Sequence, residues 1–552
     1  MEICLSRITP FSKTGNKQKI FWLVLLLLCN RELCVAQVWQ WSVPVEGVIS
    51  EETKSNPEAF LWIPENCRHV RGVVFTQHNM VEEGMLEHPA FRKTMTELGF
   101  AEIWVTPALT ITFDFHQNAP VDFNRMMKSL AEISGYKELE HAPIMPIGHS
   151  ALASFPWNFA AWNPSRTLAL VSVHGDAPLT KLTGSGKPNP DWGDRNIEGV
   201  PSLFIMGEYE WWEERIKPGF EFVKKNPATP ITFFADAGHG HFDYSEGMIR
   251  YVCLFIKKAA EKRLPKSSTR TGPVRLLAVH PSKGWLMDRW RKDSLPLARA
   301  NRYKNYQGDR YTASWCFDKE MAEETELFYA KTRGKRQQFA GFRQNGQVLD
   351  PGKSHARYNL KFNPVEDGIT FSVSAFYADS SETRPAGRHS GTPLAISRIC
   401  GPVRKVNDTT FQISFYRMGF NNPKRSNDIW LLASSEGDDK YKSVVQQVNM
   451  RFPLVNTDGK TQNIVFDPIR DYSYNPDLIK LHAVSSAGVP VSFYVKEGPA
   501  EVRGDELHVT KIPPKTKFPV KVTIVAWQYG RTAIPELQSA APITRTFYIK
   551  KP

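Results

Sequence analysis

The chain has 552 residues, too many for one hydrophobic core, so several domains are expected. With 41% hydrophobic and 23% charged residues its composition is that of a globular protein, which excludes a disordered or fibrous chain. The formal net charge of +13 comes without a dense basic run. That excludes the usual footprint of a nucleic-acid binder and leaves polyanions such as uronic-acid polysaccharides, membrane surfaces or plain solubility as its meaning.

Residues 1–36 read as a secretory signal and predict an exported protein, periplasmic, extracellular or held at the cell surface. Lys13, Lys17 and Lys19 precede an apolar run from Ile20 to Cys29, and Cys34-Val35-Ala36 supplies small residues for cleavage before Gln37. The apolar run is about ten residues, too short to span a bilayer, and no later run is long enough. Neither Cys29 nor Cys34 follows a small residue, which argues against a lipoprotein. Cys67, Cys253, Cys316 and Cys400 remain after processing, and their spacing matches no metal motif. Buried thiols are expected, with one disulfide left open, and neither a metal nor another cofactor is expected. Oligomeric state is not legible.

From Gln37 onward the pattern is strand and helix in turn. Trp39 to Ser50 and Ala59 to Pro64 read as strands. Arg71 to Met80 is a buried strand ending in the polar turn Gln77-His78-Asn79-Met80. His88 to Phe100 has helical spacing at Phe91, Met95 and Leu98, and Ala101 to Pro107 returns as a strand. Asp122 to Tyr136 predicts a helix with Phe123, Met126, Leu130 and Ile133 on one face. Then Ile144, Met145 and Ile147 end abruptly at Gly148-His149-Ser150, followed by the small-residue run Ala151-Leu152-Ala153. Thr167 to Val173, Pro201 to Met206 and Ile231 to Ala235 are further buried strands, and Glu246 to Leu264 is a closing helix. Alternation of this kind predicts an α/β fold, a doubly wound and mostly parallel sheet with ligands beyond its carboxyl strand ends.

Polar groups gather at those ends. Ser150 follows one strand, His174-Gly175-Asp176 the next, Gly207-Glu208-Tyr209-Glu210 the one after, and Ala237-Gly238-His239-Gly240-His241 the last. A serine, then a carboxylate, then a histidine, each just past a strand, is the order used in nucleophilic acyl transfer on such sheets. A serine hydroxyl needs a histidine to take its proton and backbone N–H groups to meet the developing oxyanion.

On these residues the stretch from about 55 to 265 resembles an α/β-hydrolase domain, nearest in layout to the dienelactone hydrolase and acetylxylan esterase-like branches. The resemblance implies Ser150 as nucleophile and the Ala151 N–H as one oxyanion donor. It implies the N–H of Asn79 or Met80 as the second donor. The acid falls on Glu210, three residues after a strand-ending glycine, with Glu208 and then Asp176 as alternatives. The base falls on His239, because the family histidine often follows Ala-Gly, with His241 as the alternative. Two positions depart from the family pattern: Leu152 stands where the elbow usually has a second glycine, and the acid is glutamate rather than aspartate. His149 and the Trp157 and Trp162 side chains are expected to be structural. His78, Trp211 and Trp212 are candidate substrate contacts, each also readable as a turn or core residue. The irregular stretch Leu182 to Val200 lies where this fold carries specificity loops.

The predicted domains are a hydrolase over 37–265, a linker over 266–273, a β-rich middle domain over 274–460 and a β-sandwich over 461–552. The middle domain includes one helix, Asp318 to Lys331. The last stretch resembles the bacterial immunoglobulin-like modules of secreted proteins, which more often serve as spacers or docking surfaces. The expectation is a secreted serine esterase acting on acetyl or methyl esters of plant cell-wall polysaccharide, pectin-like chains favoured by the charge. A non-catalytic glycan-binding protein with a decayed hydrolase domain and a serine peptidase of the same fold are the alternatives.

Overall fold

In the computed structural model the chain is described over residues 38–180, 187–210, 212–266, 272–474, 476 and 478–551. The expected signal segment, the centre of the expected linker, the start of the expected specificity stretch and Trp211 lie outside the described residues.

Eight strands build the first sheet: β1 (Trp41–Pro44), β2 (Glu58–Trp62), β3 (Gly72–Gln77), β4 (Phe100–Thr106), β5 (Ile144–His149), β6 (Leu170–Val173), β7 (Ser202–Gly207) and β8 (Ile231–Asp236). Their order is β1-β2-β4-β3-β5-β6-β7-β8. β2 is antiparallel to both neighbours, and the ladders from β4 through β3 to β8 are parallel. Every residue of β3 to β8 is buried. Helices cover both faces of such a sheet, which is why these strands read as unbroken apolar runs rather than as alternation. The order reverses between β3 and β5, and the carboxyl ends beside that reversal are where such sheets bind ligands. This is the α/β, mostly parallel sheet expected from the sequence.

The helices expected with bounds from the sequence lie within about three residues of them, while Glu82–Leu86 and Trp212–Lys225 are not among those expected. The helix Pro89–Leu98 begins where His88 accepts the Ala90 N–H and stops at Gly99, whose φ of 68° no branched residue would adopt cheaply. The helix Glu246–Arg263 starts at Ser245, whose hydroxyl accepts the Met248 N–H. The helix Lys319–Ala330 is capped by Asp318, which accepts from Met321 N–H.

That last helix does not belong with the β-rich part. Leu286, Trp290, Trp315, Met321 and Tyr329 share one hydrophobic core with the eight-stranded sheet. Phe234 of β8 lies 4.8 Å from Phe328 and 3.9 Å from Tyr251, ring to ring. Residues 285–330 therefore pack into the same core as the eight-stranded sheet.

Two further cores follow. One gathers residues between Phe342 and Phe452 together with Tyr494, Val525, Trp527 and Tyr529. In its four-stranded sheet Asp428–Ser435 and Val444–Arg451 alternate buried and half-buried residues, the period of a half-covered sheet. The other core, from Ile464 to Ile549, lies among small sheets that include Ser492–Glu497, Val520–Gln528 and Ala540–Lys550.

The β-rich part is fastened to the eight-stranded layer by buried charge. Arg417 bonds Glu83 and, at 2.9 Å, Glu87, while Arg398 bonds Glu83 at 3.2 Å. Arg425 bonds Glu52 at 3.0 Å and donates to the Asn79 carbonyl at 2.5 Å. Val38–Pro552 accordingly forms one compact unit.

Candidate functional site

β5 ends in a turn at which Ser150 takes φ 53°, a left-handed conformation that costs a residue with a Cβ roughly 1–2 kcal/mol. The turn lifts the half-buried serine off the end of the strand before the helix Phe155–Trp162 begins. Gly148 is required there, since a Cβ would lie 2.1 Å from the Leu152 carbonyl oxygen. The missing second glycine of the elbow is compensated next door: a Cβ on Gly175, after β6, would lie 1.9 Å from the Ala153 Cβ. Close packing of elbow and sheet is preserved by the neighbouring strand, and Leu152 is free to be large and buried.

His241 Nε2 lies 2.8 Å from Ser150 Oγ, and His241 Nδ1 lies 2.5 Å from Glu210 Oε2. The carboxylate fixes the tautomer: Nδ1–H donates to Glu210, so Nε2 accepts the serine hydroxyl. Burial opposes charge on Glu210, yet the His174 and His241 imidazoles hold its carboxyl well below the usual carboxylate range. A serine, a histidine and an ionised carboxylate thus form one chain of hydrogen bonds past β5, β8 and β7, the geometry of a nucleophile with its general base.

The expected base, His239, is not in that chain. Its Nδ1–H donates to Asp243 at 2.5 Å. Burial works against its charge, but Asp236 and Asp243 raise its pKa to about 10, which favours the imidazolium. Asp236 is itself pushed up to about 6 by burial and by Asp243, against the pull of His239, and accepts from Ser245 Oγ at 3.1 Å. Two residues later in the same loop His241 faces the serine. The alternative acids are engaged elsewhere: Glu208 with Lys442 at 2.7 Å and the Gly238 N–H at 2.9 Å, Asp176 with Arg215.

The expected oxyanion turn is also occupied. The N–H groups of Asn79 and Met80 donate to Glu82 Oε2 at 3.1 and 2.8 Å, and the His149 N–H donates to Oε1 at 3.2 Å. Burial raises the Glu82 carboxyl to about 7 against these bonds. Ala151, directly after Ser150, keeps the position of the first donor. His149 is structural: fully buried, it donates Nε2–H to the His241 carbonyl at 2.8 Å and so holds the histidine loop.

Of the expected substrate contacts, Trp212 is 4% exposed and packs edge-on to Trp290 at 5.5 Å, so it is a core residue. His78 is buried with Nδ1 2.8 Å from Thr106 Oγ1, and burial holds its pKa well below the ordinary value. Only its edge reaches a cavity of about 140 Å³ that Asn79, Met80, Tyr416, Arg425 and Trp430 also line. Sequence reasoning missed two rings that approach the histidine loop. His355 lies 5.3 Å from Phe242, and Trp430 lies 5.1 Å from the same ring. Nothing local to either residue announces that role. Among the described residues the four cysteines are free thiols.

Two groups bring metal-binding atoms within reach of one another, His174 with Glu210 and His241, and Asp236 with His239 and Asp243. In the first, hydrogen bonds join all three residues; in the second, one joins His239 to Asp243, and Asp236 accepts from Ser245.

No family model matches the chain, and no curated protein matches it. Among solved structures it is similar to an esterase of Pyrobaculum calidifontis, with 15% identity and a TM-score of 0.31 over 46% of this chain and 95% of that one. An S-formylglutathione hydrolase from Agrobacterium tumefaciens aligns at 14% identity and a TM-score of 0.29, over 40% and 94%. A ferulic acid esterase aligns at 12% and 0.29, over 40% and 99%.

Proposed function

We propose that the protein is an exported serine esterase that removes acetyl or methyl ester groups from a carbohydrate, a pectin-like polysaccharide being the favoured substrate. One observation carries the reading: the unbroken line from Ser150 Oγ through His241 to Glu210. In this reading His241 Nε2 takes the Ser150 proton as Oγ attacks the ester carbonyl, and Glu210 holds the ring and stabilises the imidazolium. The Ala151 N–H meets the tetrahedral oxyanion. His241 then gives the proton to the departing alcohol, and a water activated by the same nitrogen releases the acyl group.

The carbohydrate part is supported by weaker features: the basic charge, the half-buried Trp430 beside the site, and a terminal β-rich part suited to an immunoglobulin-like spacer or docking role. No helix among the described residues is long and apolar enough to cross a membrane. One observation favours a non-catalytic glycan-binding protein instead, namely that Glu82 occupies the Asn79 and Met80 N–H groups.

Hydrolysis of p-nitrophenyl acetate by the protein, Ser150→Ala and His241→Ala separates the two. The esterase reading expects a loss of about 10³-fold or more in each variant. Acetylated and methylated pectins then identify the ester. A wild-type protein that binds pectin yet hydrolyses none of these overturns it.

A further inference from the structure

The geometry points to His174 as a positioning residue, a second histidine that locks the Glu210 carboxylate in the orientation His241 uses. This rests on the esterase reading above.

His174 ends β6 as His241 follows β8, and the two rings approach Glu210 from different strands with centroids 5.8 Å apart. Glu210 Oε1 accepts the His174 Nδ1–H and, at 2.5 Å, the Gly207 N–H. Oε2 is left to the His241 Nδ1–H. Each oxygen has its own donors, so the carboxylate cannot rotate about its last torsion without dropping one of them.

Packing alone does not account for a histidine here. The ring is fully buried, and its Nε2 has no hydrogen-bond partner. A leucine or phenylalanine would fill the space without an orphaned nitrogen, which costs free energy when buried. The residue also holds φ 51°, a conformation unfavourable to any side chain. Both penalties are borne by a residue whose one polar bond goes to the triad carboxylate.

The charged and titratable groups facing the ring are Glu210 past β7, Asp236 at the end of β8, Asp243 beyond it, and His149 of β5 with His241. Burial disfavours an imidazolium at His174, while Glu210, Asp243 and Asp236 raise its pKa. In either protonation state Nδ1–H remains a donor. Its mechanistic effect is to keep Glu210 on Nδ1 of His241, so that Nε2 stays the acceptor for Ser150.

The test uses the full chain with His174→Ala and His174→Asn. An asparagine amide nitrogen reaches the place of imidazole Nδ1 and can donate to Glu210. His174→Ala should lower kcat on p-nitrophenyl acetate by about 10²-fold with KM little changed, the scale of a displaced catalytic group. It should also move the acid limb of the kcat/KM profile. His174→Asn should recover most of that loss. Ring-nitrogen NMR should show His241 as the Nδ1–H tautomer in the wild type and in His174→Asn, but mixed in His174→Ala. A folded His174→Ala with wild-type kcat, pH profile and tautomer overturns the inference, as does a folded His174→Asn no better than alanine. If alanine does not fold, the asparagine variant decides. If the wild type has no activity, the esterase reading falls by itself, and the His241 tautomer alone judges His174, an unchanged tautomer overturning it.

Discussion

The ring of His355 stands 6.2 Å from that of His241 and nearly perpendicular to it, although the two are far apart in the chain. His355 is held from behind by Gln447, whose Nε2 donates to its carbonyl at 3.1 Å. Phe242, next to His241, meets His355 edge-on at 5.3 Å and lies 5.1 Å from Trp430. The β-rich part thus brings two rings against the histidine loop. On the esterase reading, Trp430→Ala should raise KM for polymeric ester about 3- to 10-fold, the equivalent of one aromatic contact. Steady-state kinetics on pectin esters checks this, and an unchanged KM would remove Trp430 from the site.

Gly175 and Ala153 define a second test. Gly175→Ala drives a methyl group into Ala153 Cβ and should cost about 1–3 kcal/mol, with lost activity because the elbow must move. Adding Ala153→Gly reopens the space. Urea denaturation and esterase assays should show the double variant recovering most of both losses.

Arg417 is 7% exposed and serves two buried glutamates, Glu83 and Glu87. Burial and Glu87 raise the Glu83 carboxyl, while Arg417 and Arg398 draw it down. Arg417→Met should destabilise the protein by about 1–3 kcal/mol, because Glu87 loses its cation while Glu83 keeps only Arg398. Glu83→Gln in the same chain should return part of this. Equilibrium unfolding of the three variants measures the coupling.

The His239 cluster makes stability depend on pH. The folded pKa of about 10 lies above the ~6.5 of an unfolded histidine. The protonated ring therefore stabilises the fold fully below about pH 6.5, and that contribution is lost as pH rises towards 10. Between pH 7 and 9 the loss should be on the order of 3 kcal/mol. Denaturant midpoints across that range should fall in the wild type and change much less in His239→Gln.

Local sequence determined a great deal of this protein. Apolar runs closed by Gly148-His149-Ser150, by Gly207 and by Ala237-Gly238 specified buried parallel strands and set a serine, a glutamate and a histidine loop at their ends. Periodicity and caps are short-range, so most of the longer helices were legible as well, Trp212–Lys225 excepted. Tertiary structure decided which histidine faces the serine. His239 and His241 sit in one glycine-rich loop with the same local chemistry. They are told apart only by Asp236 and Asp243 on one side and Glu210 and Ser150 on the other. It likewise decided that Glu82 takes the Asn79 and Met80 N–H groups, that residues 285–330 join the core of the eight-stranded sheet, and that His355 and Trp430 approach the histidine loop. Each of these outcomes depends on which groups meet in space, and hydrophobic period and turn chemistry act over only a few residues along the chain.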